Sequence, residues 1–173
     1  MKIWLCLGIV ACSGALAVSA AAQKPKRPVP RTAPTPVRQL VTADERAAKQ
    51  TASNQLANLS GYLQKFTPMV QPLNDLATAD KAGKLSRKAS TDYNNAKKKL
   101  LLQLNDFGIG LTNLETDFTT KPSLAKYMVK IQGITDLSAT AKDSANAGKF
   151  DAVREALKGI VQRLSDTVAA MPS

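Results

Sequence analysis

From position 42 onward, apolar residues return every third or fourth position and almost never every second. Ala52, Leu56, Leu59, Leu63, Phe66, Val70, Leu73 and Ala77 step by 4, 3, 4, 3, 4, 3 and 4. A strand turns its side chains over with a period of two. Only a helix stacks residues so spaced on one face, and this rhythm approaches the seam of a coiled coil. Three further series repeat it: Ala89 to Phe118, Leu124 to Leu137 with Ala141 and Ala145, and Phe150 to Met171. Four amphipathic stretches joined by short turns lead us to expect an all-α fold, an antiparallel up-down four-helix bundle over 42–173.

Local signals mark the ends of these stretches. Thr42-Ala43-Asp44-Glu45 has the spelling of a capping box, with Thr42 accepting from the amide three residues on and Glu45 reaching back. Pro68 and Pro72 each remove an amide without disturbing the apolar register, which predicts either one kinked helix over 43–79 or a helix ending near Phe66 with a second piece behind it. The register favours the kink. Ser86 or Ser90 can cap the second stretch, and Gly108 and Gly110 within it suggest a bend or a close helix approach. Pro122 suits the first turn of a third helix that runs to the turn Asn146-Ala147-Gly148.

Ahead of the helices stand two segments of different character. Residues 1–22 read as a signal peptide: Lys2, an apolar run from Ile3 to Val18, then Ala20-Ala21-Ala22, with cleavage expected before Gln23. The run is too short for a spanning helix of ~20 apolar residues. Ile9-Val10-Ala11-Cys12 resembles a lipobox, so a lipoprotein anchored at Cys12 is the lesser alternative to a secreted or periplasmic protein. Residues 23–41 hold Pro25, Pro28, Pro30, Pro34 and Pro36 together with Lys24, Lys26, Arg27, Arg31 and Arg38, and no acid. Such a segment is expected to be an extended, disordered basic linker.

The composition removes most chemistries. The chain has no histidine, and its two cysteines, Cys6 and Cys12, leave with the signal. Ser-His-Asp and Cys-His catalysis, thiolate zinc and His-ligated haem are thereby excluded from the mature chain, and the di-metal bundle chemistry that needs Glu-x-x-His pairs is absent. No catalytic residue, cofactor or metal is expected. Residues 145–157 resemble the turn into the last helix of exported cytochrome c′-type bundles, and equally a single tetratricopeptide turn. Where the cytochromes carry Cys-x-x-Cys-His, this chain has Val161, Gln162, Arg163, Leu164, Ser165 and Asp166. The likeness implies a helix hairpin and no haem.

What remains is charge. Lysine and arginine number 24 against 13 acids, a net +11. The linker supplies five of these charges, and Lys97, Lys98 and Lys99 form the densest run in the helical part, expected on the outward arc of a turn whose Ala96 and Leu100 face the core. These eight cations are the candidate anion contacts. The expected partner is an anionic envelope surface, lipid or cell-wall polymer, or a protein. Low aromatic content, 5%, disfavours nucleic acid. The functional expectation is an exported, non-catalytic helical bundle with a binding or adaptor role in the cell envelope or periplasm. The alternative is a small-molecule carrier or enzyme with a pocket inside the bundle.

Overall fold

Thr42 opens the first helix as its spelling requires. Its hydroxyl accepts from the Glu45 amide at 3.1 Å, and Glu45 Oε2 accepts from the Thr42 amide at 2.8 Å. The computed structural model describes residues 41–172. The signal peptide, the possible lipid site at Cys12, and Lys24, Lys26, Arg27, Arg31 and Arg38 of the linker lie outside the described residues.

The described chain is helical, with no strand among its described residues. Its elements are α1 (Ala43–Phe66), a 3-10 turn (Thr67–Met69), α2 (Val70–Lys81), α3 (Arg87–Thr120), a 3-10 segment (Pro122–Tyr127), α4 (Met128–Ile131), α5 (Ile134–Asn146) and α6 (Phe150–Ala170). Helix α1 packs on α3 and α6, and α5 packs on the same two partners. One core lies among them, with Leu59, Phe66, Leu111, Phe118, Phe150, Leu157 and Ile160 almost wholly buried.

The prolines act as their chemistry dictates. Pro68 and Pro72 lack the amides that the carbonyls of Gln64 and Pro68 would otherwise accept from. The helix tightens into the 3-10 turn Thr67–Met69 and resumes at once. Both Phe66 before the turn and Val70 after it stay buried. The favoured single kinked helix is thus not what forms: α1 ends at Phe66 and a second piece, α2, follows the turn, with both on one apolar register.

Helix α3 begins at Ser86, whose hydroxyl accepts from the Ala89 amide at 3.2 Å. It runs 34 residues without interruption through Gly108 and Gly110. Those glycines mark close approach: a Cβ on Gly108 would lie 3.1 Å from Ser138 Oγ, and one on Gly110 2.6 Å from Gln55 Nε2.

The third stretch departs from expectation. It is not one helix from Pro122 to Asn146. A 3-10 segment and the single turn α4 precede a break at Gln132 and Gly133, where Gly133 takes φ +84°, and α5 starts afresh at Ile134. The reason is Glu115 of α3. Its carboxylate accepts from the Gly133 amide at 2.6 Å and from the Thr135 amide at 3.0 Å, satisfying amides that a new helix start leaves open. The left-handed backbone that presents them favours glycine.

Candidate functional site

Among the polar or open places of the described structure, three differ in what they can do. At one end, α1, the 3-10 segment and the last residues of α6 meet around Glu45. This carboxylate is only 4% exposed. Besides the Thr42 amide it binds Lys126 Nζ at 2.7 Å and the Tyr127 hydroxyl at 3.1 Å, while the Lys126 ammonium stands 5.0 Å above the Tyr127 ring. Lys126 and the Thr42 amide outweigh the effect of burial and hold Glu45 down to about 2. Such a group is ionised at any ordinary pH and exchanges no proton near neutrality. A cavity of about 660 Å³ opens beside it, lined by Val41, Glu45, Lys126, Tyr127 and Met171 among others. With its acid already saturated, the cluster clamps the helix ends together.

The three lysines of α3, expected to share one outward arc, part company. Lys97 is half-buried, and its Nζ donates to the Asn146 carbonyl at 2.7 Å, closing the end of α5 as a cation suits a helix C-terminus. Lys98 is exposed. Lys99 borders a groove against α1 and α2. Ala96, expected in the core, is exposed and lines the same groove.

Lys98 and Lys99 do gain neighbours from farther along the helix. Arg87 and Lys98 stand eleven residues apart, as do Lys88 and Lys99. Eleven residues make three turns with ~20° left over, so each pair shares a row. Lys84 precedes the rows. None of these five cations enters an ion pair among the described residues. Asp92 lies in the Lys88 row and pairs with neither lysine.

The third place is the groove itself. The 3-10 turn at Thr67–Met69 leaves a concavity of about 470 Å³ between α1, α2 and α3, floored by Phe66, Leu73 and Leu100. It meets a second hollow of about 600 Å³ across Tyr62, Phe66, Met69 and Gln103. The Tyr62 ring lies edge-on to Phe107 with centroids 5.3 Å apart and stacks on Phe66 at 5.9 Å. Burial pushes the Tyr62 phenol up to about 12, so it is a neutral donor. The spacing of apolar residues gave no sign of this groove, because Tyr62 falls off the α1 seam and the lining comes from three separate helices.

Among the described residues no group of three or more histidines, cysteines, aspartates or glutamates is placed to hold a metal ion. No described helix is long and apolar enough to cross a membrane. Comparison of the chain with protein-family models, with curated proteins and with solved structures finds no match.

Proposed function

We propose that this chain is an exported, non-catalytic binding or adaptor protein. In this reading its helical part is an up-down four-helix bundle, with α1 and α2 counted as one interrupted helix, that associates with an anionic envelope surface. The mutual packing of α1, α3, α5 and α6 around one core supports the bundle. The signal-like residues 1–22 support export. The observation that carries the functional reading is the pair of cationic rows on α3, Arg87 with Lys98 and Lys88 with Lys99, left without ion pairs. The five charges of the linker add to the same attraction, worth ~1 kcal/mol per basic residue near an anionic membrane.

The test is co-sedimentation of the processed protein, 23–173, with vesicles of phosphatidylglycerol and phosphatidylcholine. Binding at low salt should weaken in Arg87→Gln/Lys88→Gln/Lys98→Gln, weaken further when residues 23–38 are also removed, and vanish for all forms as salt is raised. Equal binding by all forms at low salt would remove the reading. Loss of vesicle binding with retained binding to purified anionic cell-wall polymer would change the surface and keep the mechanism.

A further inference from the structure

We propose that the groove between α1, α2 and α3 is a binding site for a medium- to long-chain fatty acid, its acyl chain lying on Phe66 and Met69 and its carboxylate taken by Lys65 or Lys99.

The groove runs from Ala57 to Pro72 along α1 and α2, about 22 Å at 1.5 Å per residue, which suits an extended chain. Its surface is mostly carbon, with Pro68, Met69 and Pro72 on one wall, and Met69 is 49% exposed. An unbranched thioether side chain adapts to a flexible guest better than a branched one does. The charged groups at the rim are cations, Lys65 and Lys99, joined by the Tyr62 hydroxyl and the Asn58 and Gln103 amides. The Tyr62 hydroxyl, the Gln103 amide, Lys65 and Lys99 make no hydrogen bond or ion pair with any described residue. No acidic residue lines either hollow. A site of carbon walls and two unpaired cations, with no acid beside them, is complementary to a guest with an apolar body and an anionic head. A neutral lipid leaves both ammonium groups unmatched. A short carboxylate leaves the walls wet.

This site shares only Lys99 with the surface association proposed above, and the vesicle test there leaves Lys99 in place, so either can fail alone. The probe is dodecanoate, measured by calorimetry with the processed protein below its micelle concentration, against dodecanol and acetate. Dodecanoate should bind with one site per chain, dodecanol more weakly, and acetate not at all. Lys65→Gln/Lys99→Gln should weaken dodecanoate by about tenfold and leave dodecanol unchanged, the size expected for a lost charged hydrogen bond. Ala96→Trp should abolish binding of both by filling the groove. Because Ala96 is exposed, the variant should keep its helical circular dichroism and its melting temperature. Three results would overturn the proposal: no heat with dodecanoate, equal affinity for dodecanoate and dodecanol, or undiminished binding to Ala96→Trp. So would a dimer of the parent that Ala96→Trp converts to monomer without any dodecanoate binding, since the occupant would then be a second copy of the chain.

Discussion

The Tyr127 hydroxyl donates to Glu45 Oε1 across 3.1 Å, and this bond joins residues 82 positions apart. It ties the first turn of α1 to the 3-10 segment that follows α3. The same oxygen accepts from Lys126 Nζ at 2.7 Å, and the other oxygen closes the capping box. Glu45 is thus a helix cap and a tertiary contact at once. Replacing it with glutamine should lower the melting temperature at pH 7, and Tyr127→Phe should do so by less.

The same cluster predicts how stability depends on acidity. Glu45 is held at about 2 in the fold, against ~4.3 for an ordinary glutamate in an unfolded chain. A lowered carboxylate contributes stability above its unfolded value and loses it as pH falls through its folded value. Urea midpoints measured from pH 6 down to pH 2 should therefore fall. Glu115 and Glu155, also held below the ordinary range, act in the same direction. In Glu45→Gln the fall should be shallower. A parallel curve for that variant would refute the clamp.

Glu115→Ala should cost about 2 kcal/mol in chemical denaturation, because it strands the Gly133 and Thr135 amides. Glu115 is partly desolvated, which alone raises a carboxyl; the Thr135 hydroxyl and the two amides prevail and hold it below its usual value. Glu115→Gln, which keeps one acceptor, should cost less.

Leu59 is 0% exposed in the core, and Leu59→Ala should destabilise by about 3 kcal/mol. Lys98→Ala, at an exposed position without an ion pair, should change stability by less than about 0.5 kcal/mol. Together they check that the described core, and not the charged surface, holds the fold.

Gly61 lies inside α1 with nothing within 4 Å of where a Cβ would stand. Gly61→Ala should stabilise by up to ~1 kcal/mol through helix propensity alone, read as a higher urea midpoint.

The apolar rhythm made the helices and most of the core legible. Leu59, Leu104, Leu111, Leu157 and Ile160 are seam positions and all are buried. The capping box at Thr42 and the cap at Ser86 were spelled out locally. The break before α5 was hidden because Ile131 and Ile134 keep the three-residue step across it, while the carboxylate that stabilises it stands 18 residues earlier than Gly133. Ala96 was misplaced for a related reason. Periodicity assigns a face to a helix but does not say whether a neighbour covers every position on it, and Ala96 is left lining the groove. Lys97 could not be told from Lys98 and Lys99 until Asn146 was placed beside it.

The cap that Glu115 places on α5 bears on the order in which the chain assembles. A 13-residue helix such as α5 is marginal in water by itself, and the single turn of α4 is far below that limit. The acceptor that fixes where α5 starts belongs to another helix, so that start is not defined until α3 has docked. The N-terminal turn of α5 is therefore expected to form no earlier than its contact with α3. Amide hydrogens at Gly133 and Thr135 should exchange with solvent at rates that track the opening of the α3–α5 contact, and not the local fraying of α5.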